Sequence, residues 1–216
     1  SKLIRQGADI IDIGGESTRP GAKQVSELEE LKRVIPVIEK TRIDNPTILI
    51  SIDTTKASVA KHALEAGADI INDVSGLSFD NNMIGIVESF NIPVVIMHMK
   101  GNPQNMQLNP EYEDIVNEIL DFFKMKIKVA VQSGIKRSMI ILDPGIGFGK
   151  TVEHNFELLS RLNEFNVLEL PIMIGPSRKS FIGITLDLPP EDRVEGTAAA
   201  VSAGVMNGAS IVICLL

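Results

Sequence analysis

The sequence is poor in cysteine, it has no long apolar run, and it has no excess of positive charge. Its single cysteine, Cys214, excludes an internal disulfide and is typical of a reducing compartment, which favours a cytoplasmic location. No run of about 18 uncharged apolar residues occurs and no signal peptide is recognisable, so we expect neither membrane insertion nor export. The net charge of −7 argues against a general nucleic-acid-binding surface.

The composition is that of an ordinary globular protein. Hydrophobic residues make up 44% of the 216 and charged residues 23%, which argues for a substantial core and against disorder. No linker and no shift in composition divides the chain. We therefore predict one domain that spans residues 1–216.

One pattern recurs along the chain: a helical stretch ends, a glycine follows, and a short run rich in isoleucine and valine begins. Gly7, Gly67, Gly134 and Gly208 stand at these junctions, for example in "LIRQGADIIDI" and "ALEAGADIIND". Helices commonly end before a glycine in the left-handed conformation. The junctions therefore indicate a unit of helix and strand that repeats through the chain.

The predicted strands are almost continuously apolar, which is typical of parallel strands covered by helices. Residues 1–6 resemble the tail of a helix whose strand would precede the sequence. Adding that strand to the predicted ones gives the count of a (β/α)8 TIM barrel of the α/β class, incomplete at both ends; an open doubly wound sheet is the alternative. Strands are predicted at 8–13, 48–52, 68–72, 93–98, 139–143, 171–175 and 210–215, and helices near 26–40, 56–66, 81–90, 112–132, 152–163 and 191–206.

Polar side chains stand at the carboxyl ends of these strands. In a barrel those ends converge on the face that carries active sites. Carboxylates and carboxamides in apolar surroundings need fixed donors or a ligand, so we predict a ligand-binding cluster rather than structural caps. The residues are Asp12, Glu16, Asp53, Asn72, Asp73, His98, Asp143, Ser177, Arg178 and Lys179.

The stretch "LDPGIGFGKT", residues 142–151, looks like a phosphate-binding loop but matches neither common pattern. Pro144 occupies the glycine position of the Walker pattern, and the three glycines alternate too closely for the dinucleotide pattern. Glycines here would let the backbone approach a flat heterocycle, with Phe148 covering it and Asp143 accepting paired N–H bonds. We predict that this loop holds a ring.

Anion binding is then expected from two other loops, "GGESTRPGA" at 14–22 and "GPSRKSFIG" at 175–183. Each follows a predicted buried strand and offers hydroxyl groups beside an arginine or a lysine.

The histidines carry little functional signal. His62 is expected at the surface, His154 in a structural role, and His98 at the floor of the pocket. Three scattered histidines without supporting cysteines do not predict a zinc site.

The ordered motifs "DIGGESTRPGA", "SIDTTK", "GADIINDVSG", "MHMKGNPQNMQ", "LDPGIGFGKT" and "GPSRKSFIG" closely resemble the dihydropteroate synthase family of folate biosynthesis. The resemblance covers nearly the whole chain. It implies a (β/α)8 barrel and a transferase that joins 6-hydroxymethyl-7,8-dihydropterin diphosphate to 4-aminobenzoate and releases diphosphate. It also implies Mg²⁺ carried with the diphosphate, a homodimer, and a target for sulfonamides.

The resemblance assigns roles position by position. Lys179, Asp143 and Arg19 are the implied catalytic residues, acting through placement and charge stabilisation. The implied metal ligand of the family lies before residue 1. The substrate-binding residues implied are Asp53, Asn72, Asp143 and Lys179 for the pterin, Met97, Phe148 and Gly175 for the walls of its slot, and Thr18, Arg19, Pro20 and Ser180 around the aminobenzoate and diphosphate.

The last strand departs from the family pattern, because Ile213 and Leu215 stand where the family has Arg-x-His. We expect a partial chain with weak diphosphate binding and little turnover when expressed alone. Two alternatives remain. One is a methyltetrahydrofolate:corrinoid methyltransferase, against which the S-T-R-P-G and S-R-K-S loops argue, and the other is a non-catalytic barrel.

Overall fold

The computed structural model describes residues 2–18 and 21–214, in which helices and strands alternate along the chain. The strands are β1 Ile10–Gly14, β2 Leu49–Asp53, β3 Ile70–Asp73, β4 Val94–Met97, β5 Ile140–Asp143, β6 Met173–Ile174 and β7 Ile211–Val212. The helices are α1 Lys2–Arg5, α2 Glu27–Asp44, α3 Ala57–Glu65, α4 Met83–Phe90, α5 Ile115–Gln132, α6 Val152–Ser160, α7 Ser180–Leu186 and α8 Val194–Met206. Short 3-10 helices lie at Arg137–Met139, Leu162–Leu168 and Pro190–Asp192.

The chain divides into two compact units. The first unit contains residues 1–96 and 126–140, and the second contains residues 97–125 and 141–216. Strands β1 to β3 lie wholly in the first unit, and β6 and β7 lie wholly in the second. That the whole chain forms one domain stays a prediction.

The first unit is built on parallel strands that pair in chain order, β1 with β2, β2 with β3, and β3 with β4. Asp53 pairs with Gly14 on one side and with Asn72 on the other. The carboxyl ends of β1, β2 and β3 are therefore level, and their polar residues face the same edge of the sheet. Ile52 and Ile71 are fully buried, which explains why these strands are apolar on both faces.

Helices α2, α3 and α4 pack against one another along this sheet. Val34 and Ile38 form the buried stripe of α2, at the spacing of one helical turn. The side chain of Ser26 caps α2 by accepting the Glu29 N–H at 3.3 Å. Val59 and Ala60 of α3 are also fully buried, and small side chains there allow close packing.

The second unit is held by a parallel pair, β6 with β7, and by a bridge from Leu142 of β5 to Ile172. Its core is aromatic: Phe123 and Phe165 meet edge to face at 5.8 Å and both are fully buried. Phe181 of α7 is 2% exposed and completes this set of large buried side chains.

The α/β class and the positions of all seven predicted strands are confirmed. Gly7, Gly67, Gly134 and Gly208 have φ of 94°, 111°, 98° and 104°, the left-handed conformation expected at the junctions. No helix of the described residues is long and apolar enough to cross a membrane.

Two predicted boundaries are wrong. The sequence placed residues 175–183 in a loop, whereas helix α7 begins at Ser180. This helix forms because burial of Phe181 and Ile182 outweighs its weak local propensity, and because Gly183 leaves room for the Arg193 guanidinium. The last strand ends at Val212 rather than at 215; Leu215 lies outside the described residues.

Candidate active site

The carboxyl ends of β1 to β3 bring three polar groups of the first unit together. The Asn72 amide nitrogen lies 3.3 and 3.5 Å from the two carboxylate oxygens of Asp12, so the amide donates to that carboxylate. Asn72 is 5% exposed and Asp53, its partner in the sheet register, is half-buried. Burial raises the pKa of Asp12, although Ser51 and Asn72 donate to it and oppose the rise.

Asp12 retains water-accessible surface even though surrounding protein raises its pKa. Both properties are typical of a side chain that lines a recess. The sequence placed Asp12 in the ligand-binding cluster, although the family resemblance gave it no role. The contact between Asp12 and Asn72 could not be read from the sequence.

Asp73, in contrast, forms a turn. It is fully buried, and its carboxylate accepts the backbone N–H of Ser75 at 2.8 Å and of Leu77 at 3.0 Å. Because the side chains of successive strand residues point to opposite faces of the sheet, Asn72 and Asp73 contact different parts of the protein. The prediction that Asp73 belongs to the ligand cluster is wrong.

In the second unit Asp143 is the central acid. It is 6% exposed, and its carboxylate accepts the Gly145 N–H at 2.7 Å. Burial raises its pKa to about 6, while the charges of Lys179 and Lys150 and the Gly145 bond act in the opposite direction. Near neutral pH most of this carboxyl group is therefore ionised although it is buried.

The glycine loop after Asp143 is shaped by close packing. Gly145, Gly147 and Gly149 have φ of 71°, 82° and 62°. A side chain at Gly145 would strike the carbonyl oxygen of His98, and one at Gly149 would strike the backbone of Lys100. The loop is fixed from outside: Asn155 accepts the Gly147 N–H at 2.6 Å, and Tyr112 donates to the Gly149 carbonyl at 2.8 Å.

Phe148 and Lys179 contact each other in the second unit. The Lys179 ammonium lies 4.0 Å from the centroid of the Phe148 ring, a cation–π contact. Lys179 is half-buried and immediately precedes helix α7. The preceding residue, Arg178, has φ of 51°, and its N–H donates to Thr197 of α8 at 2.9 Å, which fixes the approach to Lys179.

Lys150 is a site residue that sequence reasoning missed. It is 3% exposed, and its ammonium donates to the Phe148 carbonyl at 2.9 Å and to Nδ1 of His98 at 3.2 Å. Burial lowers the pKa of Lys150 to about 7. Burial, with the charges of Lys150 and Lys100, lowers the pKa of His98 to about 2, so this imidazole is neutral.

The remaining predicted residues are placed as follows. Met97 is buried, Gly175 and Thr18 are half-buried, and Ser180 is exposed at the start of α7. Arg19 and Pro20 lie outside the described residues. His154 caps α6 through a reciprocal pair of bonds with Thr151, which confirms its structural role, and His62 is exposed as expected.

The fold is that of an α/β protein with buried polar side chains at the carboxyl ends of its parallel strands. The chain belongs to the family of pterin binding enzymes, whose sequence profile matches residues 1–214.

Within that family its relatives are dihydropteroate synthases, transferases of folate biosynthesis. The dihydropteroate synthase of Synechocystis is 48% identical over 213 residues, which is 97% of this chain and 73% of that protein. The Yersinia pestis dihydropteroate synthase, solved with a sulfonamide drug, superposes with a TM-score of 0.96 at 43% identity, covering 99% of this chain and 77% of that one. The Xanthomonas albilineans enzyme, solved with 4-aminobenzoic acid, gives a TM-score of 0.93 at 41% identity, covering 99% and 76%.

Proposed function

We propose that this chain catalyses the condensation of 6-hydroxymethyl-7,8-dihydropterin diphosphate with 4-aminobenzoate, and that the strand-end residues described above carry the reaction. The observation that supports it most is Asp143, a buried carboxylate that interacts with the charge of Lys179, in a chain 48% identical to a dihydropteroate synthase. The Lys179 ammonium lies over the Phe148 ring. Relatives solved with pteroic acid and with 4-aminobenzoic acid support the same substrate class.

The pterin is proposed to bind through its nitrogen-rich edge. Asp143 and Asp53 are the acceptors for its N–H groups, because a carboxylate can take two parallel N–H bonds from such an edge. Asn72 offers both a donor and an acceptor. Phe148 and Met97 provide apolar surface for the ring, with Lys179 at its margin.

The chemical step is a substitution at the methylene carbon. The amine nitrogen of 4-aminobenzoate attacks this carbon, the carbon–oxygen bond breaks with its electron pair passing to the diphosphate, and the amine proton passes to solvent. Positive charge that develops on the pterin is stabilised by the Asp143 carboxylate, while the proposed roles of Arg19 and Thr18 lie at the leaving group and the aminobenzoate. An aniline amine is unprotonated at neutral pH, so no general base is required.

Mg²⁺ is proposed only as a companion of the diphosphate. Within residues 2–18 and 21–214, no group of three His, Cys, Asp or Glu side chains lies close enough together to hold a metal ion. No step above depends on a metal ion held by the protein alone. A homodimer and a cytoplasmic location also stay proposals, which rest on the family resemblance and on the single cysteine.

Calorimetric titration with dihydropterin diphosphate, with and without Mg²⁺, tests this function together with turnover of 4-aminobenzoate. Metal-dependent binding and formation of dihydropteroate are expected of the intact protein, and weaker binding with little turnover of residues 1–216 expressed alone. Metal-independent pterin binding without condensation would instead support the methyltransferase. No pterin binding by a protein whose thermal unfolding is cooperative would support a non-catalytic role.

A further inference from the structure

A cluster of three charges lies beside the first unit's strand ends, and the proposed reaction does not use it. The Lys56 ammonium lies 2.5 Å from a carboxylate oxygen of Glu16 and 2.5 Å from one of Glu30. The Glu30 side chain is only 1% exposed, and those of Glu16 and Lys56 are 22% and 26% exposed. Burying the Glu30 carboxylate costs free energy unless a cation pairs with it, so its burial requires Lys56 to stay in contact.

The cluster holds both ends of one loop. The second carboxylate oxygen of Glu16 accepts the Val25 N–H at 2.9 Å, which joins the start and the end of the segment 16–25. Arg33 of α2 donates to the carbonyl of Gly15, the residue just before this segment, at 2.9 Å. Gly15 also packs so closely on α2 that a side chain there would strike Glu30.

The same cluster continues to the strand ends. Thr54, which follows β2, donates its hydroxyl to Glu30 at 2.7 Å, and the same hydroxyl accepts the Lys56 N–H at 3.2 Å. The Thr54 N–H in turn donates to the carbonyl of Asn72 at 3.2 Å. The cluster therefore connects the segment 16–25 to the residues that follow Asp53 and to the backbone of Asn72.

We infer that Glu16, Lys56 and Glu30 are positioning residues that fix the two ends of the segment 16–25, at Glu16 and Val25, for binding of the second substrate. The inference rests on the proposed function, in which this segment supplies Thr18 and Arg19. None of the three positioning residues is proposed to touch a substrate. For Glu16 this role replaces the expectation from the sequence that it belongs to the ligand-binding cluster, because its carboxylate is bonded to Lys56 and to Val25. Their effect is on the placement of the two ends of this segment, and only one residue separates Thr18 from the first of them, Glu16.

A second ion pair in the same unit provides a matched control. Asp69 lies 2.5 Å from a guanidinium nitrogen of Arg42 and accepts the Ile50 N–H at 2.8 Å. Asp69 therefore makes the same two kinds of contact as Glu16, a backbone N–H and a cation. It does so at the amino end of β3, away from the segment 16–25.

The test compares Glu16→Ala, Glu16→Gln and Asp69→Ala with the wild-type intact protein. For Glu16→Ala we expect kcat/KM for 4-aminobenzoate to fall about 100-fold, because small displacements of substrate-positioning groups have effects of that size. Binding of 6-hydroxymethylpterin, which has the ring without the diphosphate, is expected to stay within about twofold. Glu16→Gln keeps an acceptor for Val25 and should recover part of the loss, while Asp69→Ala should lower the unfolding temperature without this loss.

Limited trypsin digestion gives a readout that does not need turnover. Lys23 is exposed and lies inside the segment. Cleavage after Lys23 should become about tenfold faster in Glu16→Ala and stay unchanged in Asp69→Ala, because Glu16 holds Val25, two residues after the cleavage site, and cleavage follows local opening there. Unchanged cleavage and unchanged kcat/KM in Glu16→Ala would overturn the inference, whereas absence of dihydropteroate formation by the wild type would overturn the proposed function alone.

Discussion

Glu16 and Asp69 make the same two contacts at opposite ends of the first unit's strands. Each carboxylate pairs with a cation at 2.5 Å and accepts one backbone N–H. Asp69 and Arg42 lie where strands begin, and Arg42 also donates to the carbonyls of Pro46, Ile48 and Gly67, so this pair closes connections between elements. Glu16 lies where β1 ends and holds a loop.

The comparison teaches that the surroundings of a charge, and not its contacts alone, decide what it does. At the amino ends of the strands, every described bond of Arg42 links one segment of the chain to another. At the carboxyl ends, burial raises the pKa of Asp12 and of Asp143, which means that the surrounding protein disfavours the charged form of both carboxyl groups. Such a raised pKa is typical of groups kept for a ligand. The amino ends should therefore control stability, and the carboxyl ends activity.

The largest expected effect is that of Asp143→Asn. We expect kcat/KM to fall about 10²- to 10³-fold, since removal of one preorganised charge-stabilising group has an effect of that size. Stability at pH 7 should not fall, because the folded state of the wild type holds an ionised carboxylate whose pKa burial raises. Steady-state kinetics and thermal unfolding on the same preparation check both parts. A loss of stability matching the loss of activity would contradict the comparison.

The opposite result is expected for Asp69→Ala. It leaves the Arg42 guanidinium with carbonyl partners only, and we expect the free energy of unfolding to fall by about 2 kcal/mol, as for other hydrogen bonds to charged groups. The values of kcat and KM should stay those of the wild type. Urea unfolding measures the first quantity. A changed KM for either substrate would show that the two ends of the strands are not separable.

The third prediction concerns pH. Activity should fall as the pH is lowered through about 6, where Asp143 becomes protonated. Lys150→Met should move this acid limb of the pH profile to higher pH by about half a pH unit, because a nearby cation favours the carboxylate. Lys179 also faces Asp143, and Lys100 faces Lys150 and the neutral His98. The pH dependence of kcat/KM measures the shift.

Lys100→Met is the matched control for this shift. Its side chain is 43% exposed and Asp143 is not among the groups it bonds, so the acid limb should stay in place. An equal shift in both variants would mean that the effect is general electrostatics and not the buried position of Lys150.

The sign of the stability change follows from the same pKa. Between about pH 4 and pH 6 the unfolded Asp143 loses its proton while the folded one keeps it, so its contribution to stability falls as pH rises through this range. Asp143→Asn should remove this decline, which thermal unfolding as a function of pH can measure.

Much of the fold could be predicted from the sequence, because parallel strands buried on both faces have a strong apolar signal and the helix-ending glycines mark their starts. Helix α7 was missed, since "SFIGITL" has little helical propensity and forms only because Phe181 and Ile182 are buried. Local pattern gave no sign of that burial.

The site could be predicted only in part, for a similar reason. Asp53, Asn72 and Asp143 end strands, and any residue in that position of a parallel sheet is a candidate. Lys150 lies in a glycine loop, and nothing in the spacing indicates that its amine is buried against His98 and Phe148. Likewise Glu30 sits within a helix, where its pairing with Lys56 depends on tertiary contacts.

The smallest expected effect concerns a residue near the carboxyl end of β5 that has a structural role only. Thr151 follows the glycine loop and caps α6, accepting the His154 N–H at 3.2 Å while His154 accepts the Thr151 N–H. Thr151→Ala should lower the free energy of unfolding by about 1 kcal/mol, the usual value of such a cap. We expect kcat and both KM values to stay unchanged, because Asn155 and Tyr112 still hold the loop. A fall in turnover in Thr151→Ala would mean that the start of helix α6 positions the glycine loop. It would also mean that a residue near the strand ends affects activity even when it has no proposed contact with a substrate.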